Sequence, residues 1–194
     1  MIDYESIQKC EASPNAAPLM QTYRSIGYSL ETAMADIIDN SISASAKNIW
    51  IQCSWNGDKT TISIKDDGCG MNNDEAIMAL TLGAVNPLQK RSETDLGRFG
   101  LGLKTASFSQ CKKLSLLTKK TDYHSLYWSW DLDYVANADN GKGRWELLKW
   151  IPEEYKNSLE GMEHGTIVIW SELDQLIPVG TERENERAKI KFYE

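Results

Sequence analysis

Apolar residues recur at helical spacing near the start of the chain. Five of them fall on one face of a helix: Leu30, Ala33, Met34, Ile37 and Ile38. Ser29 is a suitable N-cap for this helix, and Glu31 supplies an acid in its first turn. We therefore predict a helix that begins near Ser29. Residues 1–20 are polar, contain two prolines and lack a clear period, which predicts an arm that leads into the domain.

An alternating pattern replaces the helical one after position 48. Residues 49–54 alternate between apolar and polar or aromatic side chains, and residues 62–64 alternate again. Asn56 and Gly57 lie between the two runs and form a strong signal for a β-hairpin turn. The pattern therefore predicts two antiparallel strands, the second of which ends in an Asp- and Gly-rich loop at 66–70.

Two shorter helices and a long loop follow the hairpin. Asn72 and Glu75 form a capping-box pattern that opens the first of these helices. Residues 84–98 have little apolar content, and long loops of this kind in compact domains are often functional lids. A glycine-rich turn at 97–102 then opens the second helix, which we expect to run to about Gln110.

The remainder of the chain favours strands. We expect them over four segments: residues 113–118, 123–132, 145–150 and 166–170. Residues 133–144 are rich in Asn, Asp and Gly and are expected to form a loop. This order predicts an α+β sandwich, with helices on one face of a mixed β-sheet, rather than a doubly wound parallel fold. Along the chain we expect an arm (1–20), one domain (21–180) and a charged tail (181–194) that leads to a further region.

Composition limits the classes of protein to consider. The 194 residues are 41% hydrophobic and 25% charged, which fits one soluble domain and excludes wholesale disorder. The net charge of −7 argues against a nucleic-acid surface spread over the whole domain. Four scattered cysteines without a Cys-x-x-Cys pair favour neither a zinc site nor a disulfide framework, so we expect a reducing cytoplasm. The sequence shows neither a secretory signal nor a membrane span.

Four short polar patterns could carry chemistry. Asp36 and Asn40 lie one turn apart on the first helix, where a carboxylate and an amide could hold hydrated Mg²⁺ and a reactive water. The alternative is a solvated polar flank, which most amphipathic helices carry. Asp66 at a strand end could accept a hydrogen bond from an exocyclic amine such as adenine N6, although Asp and Gly after a strand also form ordinary turns.

The other two patterns are equally open to plain structural explanations. The glycines at 97, 100 and 102 expose backbone N–H groups at a helix start, where phosphates bind readily. This is neither a Walker A loop nor a dinucleotide-binding fingerprint, and Lys104 on the same helix could be an ordinary surface lysine. Gly165 and Thr166 open an apolar strand, which is commonplace.

The order of the four patterns resembles the nucleotide-binding motifs of the GHKL ATPase superfamily, which includes gyrase B, the heat-shock chaperone, histidine kinases and MutL. The resemblance covers about residues 22–170. The wording of residues 36–41 and 97–107 looks most like the MORC-type branch. It implies the Bergerat α/β sandwich, ATP and Mg²⁺ as ligands, and a nucleotide state that controls lid closure and dimerisation.

The resemblance also implies roles for individual residues. Asn40 would ligate Mg²⁺, Asp66 would bind the adenine amine and Thr166 would support it through water. The base would approach over the loop that holds Gly68, Gly70 and Met71. The phosphates would be wrapped by the turn after the lid, with Lys104 as a further contact, and that turn supplies Gly97, Phe99, Gly100, Leu101 and Gly102.

One departure concerns hydrolysis. The hydrolytic members carry Glu where this chain has Asp36, whose side chain is one methylene shorter, and they use a lysine from a following transducer domain. We therefore expect weak ATPase activity that is incomplete without such a domain, and DNA association only through regions outside this chain. The alternatives are a histidine-kinase-type domain and a binding-only module. Neither His124 nor His164 lies in a helical pattern typical of a phosphoacceptor.

Overall fold

Five α-helices and five strands lie in the described part of the chain. The computed structural model describes residues 4–84, 102–141, 143–176 and 189–190. The helices are α1 (Ala16–Arg24), α2 (Leu30–Ser43), α3 (Asn73–Leu80), α4 (Gly102–Phe108) and α5 (Leu132–Asn137). The strands are β1 (Ile49–Ser54), β2 (Thr61–Asp66), β3 (Lys113–Lys119), β4 (Leu126–Asp131) and β5 (Gly165–Ser171). None of the helices in the described ranges is long and apolar enough to cross a membrane.

The strands form one sheet in the order β1-β2-β5-β3-β4. Each pair of neighbours is antiparallel, so the expectation of a mixed sheet was wrong. The late strand β5 inserts between the first hairpin and the β3–β4 pair and joins them. In this register Thr166 lies opposite Asp66 on one side and opposite Thr118 on the other. These three side chains therefore form a row on one face of the sheet.

The helices cover that same face, as the α+β sandwich predicts. Helix α2 begins after Ser29, whose side chain accepts the backbone N–H of Thr32 as an N-cap. The core between the layers includes Ile37 from α2, Ile64 from β2 and Trp170 from β5. A second cluster lies on the opposite face of the sheet, where the segment 151–159 packs on strand residues such as Ile167.

Two predictions for the region after β4 were wrong. Residues 133–144 were expected to form a loop, but α5 occupies most of the first half because the Asp131 side chain caps the N–H groups of Asp133 and Tyr134. Residues 145–150 were expected to form a strand. They make only one isolated bridge, between Ser129 and Leu148, before the chain turns at 152.

The N-terminal helix also departs from the expected arm. Helix α1 begins inside residues 1–20 and buries Ala16 and Met20 in the main core. The Arg24 guanidinium at its end holds both carboxylate oxygens of Asp174 at 2.7 and 2.6 Å and donates to the carbonyl of Cys111 at 2.8 Å. The chain around residue 16 is thus part of the packed domain. The charged tail lies outside the described residues except at 189–190.

Gly70 offers a test of how tightly the loop after β2 packs. Its φ is +63°, and a Cβ atom there would lie 1.8 Å from the carbonyl oxygen of Lys119. We expect Gly70→Ala to lower the free energy of unfolding by about 2–4 kcal/mol, because backbone atoms must move. Gly161 has a φ of +79° and no atom within 4 Å of its Cβ position, so Gly161→Ala should cost only about 1 kcal/mol.

Urea unfolding of both variants measures these costs. Equal losses of stability in the two variants would show that position 70 requires glycine only for its backbone conformation and not because of the contact with Lys119.

Candidate functional site

Asp66 is a buried carboxylate at the end of β2. Only 5% of its surface is exposed. One carboxylate oxygen accepts the hydroxyl of Ser41 at 2.9 Å, and the other accepts the backbone N–H of Gly68 at 2.8 Å. Burial raises the pKa of Asp66, and these hydrogen bonds act in the opposite direction. The backbone N–H of Thr166 also acts on this carboxylate and lowers its pKa, so three of its roughly four lone-pair positions are used and one remains for a hydrogen bond from a ligand.

Thr166 and Thr118 lie beside Asp66 on the same face of the sheet. The hydroxyls of Thr166 and Thr118 lie 3.0 Å apart, and Thr118 also donates to the carbonyl of Gly165. The backbone N–H of Met71 donates to the Thr118 hydroxyl at 2.9 Å. This hydrogen bond attaches the loop that follows β2 to strand β3. Asp66, Met71 and Thr166, which the sequence predicted as site residues, lie together here.

Ser41 and Thr118 belong to this group but were not predicted. Ser41 extends the buried stripe of α2 that also contains Ala33 and Ile37, at intervals of four residues. A polar residue at a core position needs a partner, so this spacing was a readable signal. Thr118 gave no comparable signal, because its place in the row depends on the register between β3 and β5.

Gly68 and Gly70 approach other parts of the protein very closely. A Cβ atom on Gly68 would lie 2.7 Å from the Cβ of Ala44 and 2.9 Å from Asp66 Oδ1. One on Gly70 would collide with Lys119. The packing of the loop therefore requires both glycines, independently of the approach of a base that the resemblance implied.

Asp67 secures the other side of the same loop. Its carboxylate accepts the backbone N–H groups of Lys47 and Asn48 at 2.7 and 2.9 Å and the Asn48 side-chain amide at 2.8 Å. These bonds lower the pKa of Asp67 to about 2. The ring Nδ1 of His164 lies 2.6 Å from the carbonyl of Gly68. The loop is thus held by the chain at residues 47–48 and by the side chain of His164.

Asp36 lies where α2 meets α4. It is half-buried, and its Oδ2 lies 3.3 Å from the position that a Cβ on Gly102 would occupy. Asn40, one turn later, is exposed. The two side chains share a helix face, as predicted. In the described part of the chain no three His, Cys, Asp or Glu residues group as a metal site. Mg²⁺ on a nucleotide is bound mostly by phosphates and water, so the Asn40 amide fits it as a single protein ligand.

Lys104 has a different environment from the one expected. It is 2% exposed, and its ammonium donates to the carbonyls of Ala79 and Thr81 at 2.8 and 3.1 Å. It thereby caps the C-terminus of α3, where the helix dipole favours a cation. Burial lowers the pKa of Lys104 to about 8. In this structure the side chain joins α4 to α3, and its predicted phosphate contact remains a prediction.

Of the glycine-rich turn predicted to bind phosphate, the structure describes only the last residue. Gly97, Phe99, Gly100 and Leu101, together with the predicted lid at 84–98 beyond its first residue, lie outside the described residues. Gly102 is described and is the first residue of α4.

The sequence is similar to a known family of ATPases and to individual proteins. A family model described as histidine kinase-, DNA gyrase B-, and HSP90-like ATPase matches residues 28–166. The chain is 30% identical to ATPase morc-1 of Caenorhabditis elegans over 118 residues, which are 61% of this chain and 13% of that protein. It is 31% identical to the chaperone protein HtpG of Helicobacter pylori (strain HPAG1) over 114 residues, covering 54% and 17% of the two chains.

A third relative is the DNA mismatch repair protein MutL of Thermoanaerobacter sp. (strain X514). It is 34% identical over 87 residues, which are 44% of this chain and 14% of that protein. The chain thus spans less than a fifth of the length of each of these relatives. The matches confirm the resemblance to the GHKL superfamily and its MORC-type branch that the motifs predicted.

The buried Lys104 ammonium makes stability depend on pH. Its folded pKa of about 8 is below the ordinary value of 10.5, so between these values the unfolded chain binds more protons and stability rises with pH. Compared with Lys104→Met, the wild type should gain on the order of 3 kcal/mol of unfolding free energy from pH 8 to 10.5. Urea titrations at stepped pH measure the difference. Parallel pH profiles for the two proteins would contradict the assignment.

Proposed function

The chain belongs to the histidine kinase-, DNA gyrase B-, and HSP90-like ATPase family, and on that basis we propose that it binds ATP with Mg²⁺ and hydrolyses it slowly. The adenine amine donates to Asp66, and Thr166 supports the same edge of the base through water. Asn40 binds Mg²⁺ on the phosphates. Asp36 holds the attacking water and accepts its proton.

The observation that carries this proposal is the fixed carboxylate of Asp66. The Ser41 hydroxyl donates to one carboxylate oxygen at 2.9 Å, and the backbone N–H of Gly68 donates to the other at 2.8 Å. An exocyclic amine is the complementary group for the acceptor capacity that remains. The carboxylate is shielded from water, so a hydrogen bond from a neutral amine is stronger there than it would be at an exposed carboxylate.

The position of Asp36 supports its role in hydrolysis. It lies one helical turn before Asn40 on the same face of α2, so if Asn40 held Mg²⁺ on the phosphates, the Asp36 carboxylate would be the nearby group that could accept a proton from water. A Cβ atom at position 102 would lie 3.3 Å from Asp36 Oδ2, so the glycine there lets α4 approach this carboxylate. The short Asp matches this close approach of α4 to α2.

The remaining parts of the proposal rest on the sequence and the family. Nucleotide binding closes the loop at 84–98 and promotes dimerisation in the full-length protein, where regions outside this chain could supply a γ-phosphate lysine and contact DNA. Four scattered cysteines without a Cys-x-x-Cys pair support the cytoplasm as the compartment of this activity. Limited proteolysis near Lys90 and Arg91, with and without a non-hydrolysable ATP analogue, tests the closure.

Asp66→Asn tests the adenine contact. The change places an amide donor toward the adenine amine and leaves a buried donor unpaired, which costs about 1–3 kcal/mol. ATP affinity measured by calorimetry should fall roughly 5- to 150-fold. Asp74→Asn on the exposed side of α3 is the matched control and should leave affinity unchanged. Unaltered ATP binding by a folded Asp66→Asn protein would remove Asp66 from the site.

Asp36→Asn tests the hydrolytic step. ATP binding should persist because Asn40 is intact, and single-turnover hydrolysis should fall about 10²- to 10⁴-fold, the usual contribution of a positioned base. Asp39→Asn, on the same helix but exposed, is the control and should keep the rate. Asp36→Glu tests reach: turnover at or above the wild-type rate would show that the pocket admits the longer carboxylate, whereas a loss of both binding and rate would show that the added methylene overpacks it.

Equal rates for wild type and Asp36→Asn would point to Asp39 as the base. A wild-type protein that binds ATP without any turnover would favour the binding-only module instead.

A further inference from the structure

Three buried hydroxyl groups lie in and beside the row that contains Asp66. They belong to Ser41 on α2, Thr118 on β3 and Thr166 on β5. A hydroxyl has one proton to donate and two lone pairs with which to accept. The direction of each hydrogen bond among these groups can therefore be assigned by counting protons.

The Thr118 hydroxyl has three partners but only one proton. The backbone N–H of Met71 donates to it at 2.9 Å and uses one lone pair. The carbonyl of Gly165, 3.1 Å away, can only accept, so the Thr118 proton points to it. The Thr166 hydroxyl, 3.0 Å away, must then donate to the second lone pair of Thr118. The reverse arrangement would place a lone pair of Thr118 against the Gly165 carbonyl oxygen.

Thr166 is thereby left as an acceptor. Its proton is directed to Thr118, and the lone pairs of its oxygen remain for a ligand or a water. Ser41 has also used its proton, because it donates to Asp66 at 2.9 Å, whereas its contact with the Ile37 carbonyl is longer, at 3.4 Å. An ionised Asp66 carboxylate has no proton to give. The side chains of Ser41, Asp66 and Thr166 therefore offer acceptors to a bound base, but no donor.

The acceptor state of Thr166 bears on which base fits. Thr166 lies opposite Asp66 on the neighbouring strand, and the proposed function places the adenine amine at Asp66 with a water between the base and Thr166. Because Thr166 accepts, that water must donate to it, and the water oxygen stays open to accept the second N–H of the amine. A carbonyl at the same position of the base has no N–H to give. The state of Thr166 thus adds to the preference for an amine.

We propose that Thr118 is a positioning residue that determines specificity. It accepts the Thr166 proton, holds Thr166 as an acceptor, and so makes the site select a base with an amino group over one with a carbonyl. Thr118 acts through Thr166, since its own side chain is completely buried. The proposal rests on the proposed binding of ATP at Asp66.

Thr118→Val tests the proposal, because valine has nearly the same shape as threonine but no hydroxyl. The Thr166 proton is then released and can be donated toward the base, which suits a carbonyl. Displacement of a fluorescent ATP analogue gives the affinities for ATP and for inosine triphosphate, whose base has a carbonyl in place of the amine. The ratio of the two should fall about fivefold, the usual net contribution of one hydrogen bond. Loss of the Met71 contact should weaken both nucleotides alike, so a merely structural role would leave the ratio unchanged.

Two further variants serve as controls. Thr118→Ser keeps the hydroxyl and should show the wild-type ratio. Ser115→Ala removes a completely buried hydroxyl from the opposite face of the same strand and should also leave the ratio unchanged. An unchanged ratio in a folded Thr118→Val protein would refute the role of Thr118 and leave the ATP site intact. Equal affinities of the wild type for the two nucleotides would contradict the adenine contact at Asp66, and this proposal with it.

Neutron diffraction from crystals of the deuterium-exchanged wild type tests the proton assignment without a variant or a nucleotide. The Thr166 deuterium should point to the Thr118 oxygen, and the Thr118 deuterium should point to the Gly165 carbonyl. A Thr118 deuterium directed at Thr166 would overturn the proposal, whichever nucleotide the site binds.

Discussion

The buried carboxylate of Asp66 is the constraint on which the rest of the site depends. It is taken out of water at a cost that raises its pKa, and hydrogen bonds from Ser41 and Gly68 offset part of that cost. Those two partners come from α2 and from the loop after β2. One side chain thereby sets the position of the helix, the strand end and the loop relative to one another.

Packing around this carboxylate explains features that ligand binding alone would not. Gly68 and Gly70 are required because Ala44 and Lys119 occupy the space that their side chains would need. A loop held this firmly is pre-organised, so a ligand that binds over it loses little affinity to ordering. Lys104 joins α4 to the end of α3, and Gly102 lets α4 approach Asp36. The helix layer thus positions the candidate base.

The sequence predicted the elements whose signals are local. The period of α2, the Asn56-Gly57 hairpin and the Asn72–Glu75 capping box were all found where expected. The features that the sequence did not predict depend on contacts between residues far apart in the chain. The insertion of β5 between β2 and β3 makes the sheet antiparallel and creates the row that includes Thr118.

Two further differences between the sequence prediction and the structure concern Lys104 and helix α5. The sequence left Lys104 open as a surface lysine or a phosphate contact; the structure buries its side chain and sets its ammonium on the carbonyls of Ala79 and Thr81. Helix α5 was missed because composition suggested a loop, although Asp131 provided the cap.

The proposed function requires Asp66 to recognise the exocyclic amine of adenine. Displacement of a fluorescent ATP analogue by ATP and by GTP tests it most directly, because guanine presents a carbonyl oxygen where adenine presents the amine. Two acceptors would then face each other in a buried site, at a cost of about 1–3 kcal/mol. We predict that GTP competes at least about fivefold more weakly than ATP. Equal competition by the two nucleotides would contradict the account.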